Sequence, residues 1–141
     1  MKTYKGLITE LPKNGIFVFG SNTQGRHSLG AAKTARDKFG AQYANPMGRQ
    51  GQSYAIITKD LTKNMHPSIP RSFIENQISG LYNYALKNPD LDFYVAYSGV
   101  GKNLNAYSNQ EMADMFSHIP IVENIVFEVE FSKLLNNELS R

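Results

Sequence analysis

The chain has 141 residues, no cysteine, and a formal charge of +3 from 15 lysines and arginines set against 12 acids. That length suits one domain; without thiols there is no disulfide framework or thiolate chemistry, and a metal site would have to use His, Asp or Glu. The basic residues are scattered, with no block that would track a nucleic-acid backbone, so an anionic small molecule is the better partner.

Neither the N-terminal MKTYKGLITEL nor any later run has the apolar character of a signal peptide or the length of a membrane span, and a soluble, cytoplasmic protein is expected. In chain order, Tyr4 to Leu11 offers an extra strand before the first buried apolar run, Ile16 to Phe19. Leu29 to Phe39 has helical spacing, with Ala32, Ala35 and Phe39 on one face, Ser28 as candidate N-cap and Gly40 as stop. A second apolar run spans Tyr54 to Ile57. Ser72 and Glu75 then read as a capping box ahead of the stripe Ile74, Ile78, Leu81, Tyr82, Ala85 and Leu86, which Asn88 and Pro89 end. After the run Phe93 to Tyr97, Ser108 and Glu111 repeat the box for a shorter helix stopped before Pro120, and Ile125 to Val129 is the last run.

Apolar runs without strict alternation read as strands buried on both faces. The order βαβαβαβ predicts an α/β fold with a mainly parallel, mixed sheet and helices on its faces. Residues 1–131 make one domain, and 132–141 a tail or short helix.

Parallel strands deliver their following loops to one edge, where ligands bind. This joins GSNTQGRHSLGAA (Gly20 to Ala32), TKD (Thr58, Lys59, Asp60) and SGVGKN (Ser98, Gly99, Val100, Gly101, Lys102, Asn103) into one candidate site. Small residues between a strand and a helix leave backbone N–H groups free for an anion such as phosphate. No GKS or GKT follows Gly25, and Gly20, Gly25 and Gly30 are too widely spaced for the dinucleotide fingerprint, which argues against both common nucleotide loops.

GLITELPKNGIFVFGSN, Gly6 to Asn22, resembles the opening of macrodomains, where G-D-I-T, a proline and a buried strand lead to N-A-A-N; Gly6, Ile8, Thr9, Pro12 and Asn22 take those places. His27, Gly30, Ala31 and Ala32 match the histidine, glycines and alanine-rich helix that follow. Further on, YAIITKDLTKNMHPSIPRSFIENQISGLYNYALK and SGVGKNLNAYS look like the strand, lysine, helix and glycine loop of the terminal ADP-ribose–glutamate glycohydrolase type. The chain is also similar to small macro-like proteins of phages and bacteria. The resemblance covers roughly Gly6 to Phe131 and implies a three-layer α/β/α fold that takes ADP-ribose or a relative, with no cofactor. Asn22 would then bond the distal ribose. The turn Gly25 to Gly30, with the helix start at Ala31, would hold one side of the diphosphate, and Ser98, Gly99, Val100 and Gly101 the other. Lys59 matches the lysine that attacks the anomeric carbon, a role that requires it to lose its proton.

The sequence departs from the pattern twice. Leu7 replaces the acid that holds the adenine amino group, leaving Asp60 or Glu10 as substitutes. Asn103 stands where the glycohydrolases carry an aspartate, and an amide cannot shuttle a proton. The residues therefore leave open two roles: release of ADP-ribose from a modified acceptor, using Lys59, Asn22 and the Asn103 position, or binding alone. Plainer roles stand beside these: Asn22 as a turn cap, His27 as a helix cap, Lys59 as a solvated lysine, Gly99 and Gly101 as turn residues, and Tyr107 as packing instead of stacking on a base or ribose. Ser21 and Gly20 join Asn22 in the first loop. His66 and His118 lack companions at metal-ligand spacing, so no metal site is expected. Nucleic-acid binding has only the basic isoelectric point in its favour.

Overall fold

A computed structural model of the chain describes residues 1–99 and 103–135. In chain order the elements are β1 (Thr3–Tyr4), β2 (Gly15–Asn22), α1 (Gly30–Lys38), β3 (Gly48–Gln50), β4 (Ser53–Lys59), α2 (Arg71–Lys87), β5 (Asp92–Val95), α3 (Asn109–Phe116), β6 (Ile125–Glu128) and α4 (Val129–Ser132). The strands form a mixed sheet in the order β1-β6-β5-β2-β4-β3, parallel throughout except for β3 against β4. The class is α/β, with helices on both faces of a mostly parallel sheet.

Side chains of a strand alternate between faces, and β2 shows the consequence. Ile16 and Val18 pack into the larger core with Ile74, Ile78 and Leu81 of α2, Met115 and Phe116 of α3, and Phe131 of α4. Phe17 and Phe19 face the other way, onto Ala32 and Ala35 of α1 and Phe39. Both sets are buried, which is why the run has no polar alternation. The buried residues of α1 are the small Ala32 and Ala35, whereas α2 and α3 bring bulky residues to the sheet.

Buried polar side chains close the backbone where the ladders stop. β3 reaches only Ala55 of β4; beyond it the Gln77 amide takes the place of a strand, accepting from Ile57 N–H at 2.7 Å and donating to Ile57 C=O at 2.8 Å. Asn124 donates to the carbonyls of Ala85, Asn88 and Leu91 at 2.8 to 3.1 Å, tying the end of α2 to the loop that enters β6.

Several local expectations are corrected. The capping box at Ser108 and Glu111 forms, with both reciprocal bonds present. The one at Ser72 and Glu75 does not: Pro70 is the N-cap of α2, its fixed φ of −62° starts the helix early, and Ser72 falls inside the first turn. Ser28 does not cap α1; the chain enters through Leu29, with Gly30 at a left-handed φ of +58°. The extra strand shrinks to Thr3–Tyr4, because β1 pairs only with Phe127 and Glu128 before Gly6 turns the chain away at φ +83°. β3 has no apolar run to announce it. Beyond α4, Leu134 and Leu135 still pack on the larger core, and residues 136–141 of the expected tail lie outside the described residues.

Candidate ligand-binding site

From β2 the chain passes through α1 and β3 to β4 on one side of β2, whereas β5 joins β2 on the other. The carboxyl ends of β2 and β5 are therefore a topological switch point, where the loops that follow diverge and leave a crevice. Pairing of the two strands ends at Val18 and Val95, with Ala96 N–H donating to Val18 C=O at 2.9 Å, while β2 runs on to Asn22 against β4 alone. A cavity of about 620 Å³ opens above this divergence.

Its two ends differ. Over β2 it is bounded by Gly20, Thr58, the start of α1 (Leu29 to Ala32, and Thr34), and Asn103 and Leu104 of the β5–α3 loop. Here Lys33 N–H makes an i to i−4 bond to Leu29 C=O, so the N–H groups of Gly30, Ala31 and Ala32 precede the helical ladder. No side chain caps them and no acid lies in the first turn. Gly20 lets β2 pass Thr58 closely, since a Cβ there would stand 3.0 Å from Thr58 Oγ1. Over β5, β6 and β1 the cavity is bounded by Tyr97 and Ser98, by Phe131, and by Tyr4 and Leu7; Ala96 and Ile8 also line it but pack on the α1 side with Phe17 and Phe19. Tyr97 and Phe131 stack in a tilted pair with ring centroids 5.6 Å apart. Tyr4 donates its hydroxyl to Val95 C=O at 2.6 Å, and burial, with Glu128 adding to it, pushes the phenol well above its ordinary value. Leu7, Leu29 and Leu104 stand exposed around the mouth. Among the described residues the lining holds no Asp, Glu, Lys, Arg or His.

Gly20, Gly30, Ala31, Thr58, Ser98 and Asn103 thus meet at one cavity. Asn22, Ser21, Gly25, His27, Lys59, Gly99 and Tyr107 do not line it, and Val100, Gly101 and Lys102 lie outside the described residues. Asn22 folds back on its own loop: Oδ1 accepts from Gln24 N–H at 3.2 Å and Arg26 N–H at 3.0 Å, and Nδ2 donates to Arg26 C=O at 2.9 Å. Gly25, at φ +65°, passes so close to the next loop that a Cβ would lie 2.5 Å from Asn45 N. His27 is fully buried, edge-on to Phe19, with Nε2 3.1 Å from Asn45 C=O; Nδ1 has no partner among the described residues. Because a carbonyl only accepts, Nε2 carries the proton.

Ser21 is buried, and its carbonyl accepts from Thr58 Oγ1 at 3.3 Å. Lys59 pairs in register with Asn22 at the top of β4, half exposed. Asp60 is committed to Thr62, whose hydroxyl and N–H donate at 2.7 and 2.9 Å and hold its carboxyl below the usual range; neither it nor Glu10 lines the cavity. Tyr107 is buried and donates its hydroxyl to Ile69 C=O at 2.6 Å, while Asn103 Nδ2 donates back to Tyr107 C=O at 3.0 Å, so the pair shapes the β5–α3 loop from beneath. His66 bonds Ser68, His118 bonds Met115 C=O and Ser79, and no group of three His, Asp or Glu among the described residues stands together as metal ligands.

The boundary residues that the sequence did not single out, Tyr4, Tyr97, Phe131 and Leu104, are ordinary apolar and aromatic residues without a motif. Tyr97 alone had a signal, as the last residue of an apolar run that reaches the carboxyl edge.

No protein-family model matches the chain, and no curated protein and no solved structure matches it. Among the described residues no helix is long and apolar enough to cross a membrane.

Proposed function

We propose that the protein binds ADP-ribose or a related nucleotide derivative in the switch-point cavity and holds it without cutting it. The observation that carries this reading is the start of α1: three N–H groups ahead of the helical ladder, uncapped and without an acid beside them, adjoin a cavity of ligand size. Helix-end donors of this kind suit a diphosphate, and the small residues Gly20, Gly30 and Ala31 permit close approach. The aromatic and apolar end at Tyr97, Phe131 and Leu7 suits a base and its ribose.

Binding without cleavage follows from what faces the ligand. Among the described lining residues the only ionisable side chains are those of Tyr4 and Tyr97, and Tyr4 donates its hydroxyl to Val95 C=O. Lys59 stands outside the cavity, and Asn103 presents an amide, which moves no proton.

Calorimetric titration with ADP-ribose tests the reading, with AMP, ADP and NAD as controls. Saturable binding of ADP-ribose, about tenfold or more tighter than AMP, is the expected result, since AMP lacks the second phosphate and the distal ribose. Absence of any ADP-ribose binding would remove the reading.

A further inference from the structure

Resting on that reading, the two ends of the cavity carry a statement about which nucleotides it takes. We infer that the site recognises the diphosphate and the flat face of the base but not the edge of the base, so that its ligands are nucleoside diphosphate derivatives largely irrespective of the base.

Distinguishing one purine from another requires fixed donors or acceptors aimed at the ring edge, because the faces of all bases are similar π-surfaces. At the aromatic end the Glu128 carboxylate and the Tyr4 hydroxyl are engaged in building the wall. Glu128, which directly precedes α4 and its Phe131, is buried. One oxygen accepts from Glu130 and Phe131 N–H, capping α4, and the other accepts from Gly6 N–H at 3.2 Å, fastening the segment that carries Leu7 and Ile8. Glu128 therefore builds the wall and has no free oxygen directed at the ligand. The Tyr4 hydroxyl is held by Val95 C=O. What remains is the Leu7 side chain, the Phe131 ring, and Tyr97 and Ser98, whose hydroxyls rotate to donate or to accept and so suit either kind of edge. Opposite them the uncapped start of α1 supplies the contact that every nucleoside diphosphate shares.

The test uses the full chain and ligands that differ only at the base: ADP-ribose, IDP-ribose, in which an oxo group replaces the 6-amino group, and 1,N6-etheno-ADP-ribose, in which the amino edge is blocked. Calorimetry is expected to give dissociation constants within about threefold of one another. Tyr97→Ala is expected to weaken ADP-ribose and IDP-ribose by the same factor, about tenfold, because stacking on a base face is lost equally for both. A loss of about tenfold or more for IDP-ribose or the etheno derivative, while ADP-ribose binds, would overturn base tolerance and leave the ADP-ribose reading standing. Failure of all three to bind would overturn both.

Discussion

The stretch between β2 and α1 contains two segments of similar composition and opposite behaviour. From Asn22 to His27 the chain is closed on itself: the Asn22 amide holds two N–H groups and a carbonyl, Gly25 is pressed against Ala44 and Asn45, and His27 is sealed beneath. From Leu29 to Ala32 it is open, with backbone donors beside the cavity and nothing from its own side chains to meet them. Conspicuous polar residues built the loop, and inconspicuous small ones were left to face a ligand. A polar side chain in a loop satisfies the backbone nearest to it first, whereas a glycine or alanine at a helix start has nothing with which to do so.

Four substitutions separate the two segments. Gly25→Ala has the largest expected effect, a loss of about 3 kcal/mol in stability from a Cβ driven into the 44–45 backbone and from a left-handed φ, read in a denaturant melt. A midpoint like that of the parent would mean the two loops do not bear on each other. Asn22→Ala removes three hydrogen bonds and is expected to cost about 2 kcal/mol, with folded protein still binding ADP-ribose to within about threefold. If affinity collapsed while stability held, Asn22 would belong to the ligand rather than to the loop.

Ala31→Glu inverts this pattern. An acid in the first turn of a helix favours the helix, so stability is kept, while its charge competes with the diphosphate for the same donors and lowers ADP-ribose affinity by about tenfold or more. Unchanged calorimetry would show that the start of α1 is not the anion site. Lys59→Ala is the smallest: affinity is expected to stay within about twofold, and a much larger drop would bring the lysine into the site.

The fold class was legible because the apolar runs at Ile16, Tyr54, Phe93 and Ile125 all lie in parallel strands, where burial on both faces leaves a plain signature. The helices were legible through their stripes, but their starts were less so. Two Ser-x-x-Glu patterns looked alike, and only Ser108 became a cap, because Pro70 set the start of α2 first. β3 was hidden because an edge strand of three residues buries too little to need an apolar pattern.

The chain's own order of residues determined the alternation of strands and helices, the glycine-rich junction after β2, and the arrival of three loops at one edge, because those follow from local periodicity and from the direction of parallel strands. Only the tertiary structure decided which of those loop residues meet. Register and burial turned Asn22, Gly25 and His27 toward their neighbouring loops, used Glu128 as a fastening, and brought Tyr4, Tyr97 and Phe131, far apart in sequence, to the end of the cavity opposite α1. Hydrogen bonds and close packing are satisfied between neighbours in space, and neighbourhood in space is what a linear sequence does not state.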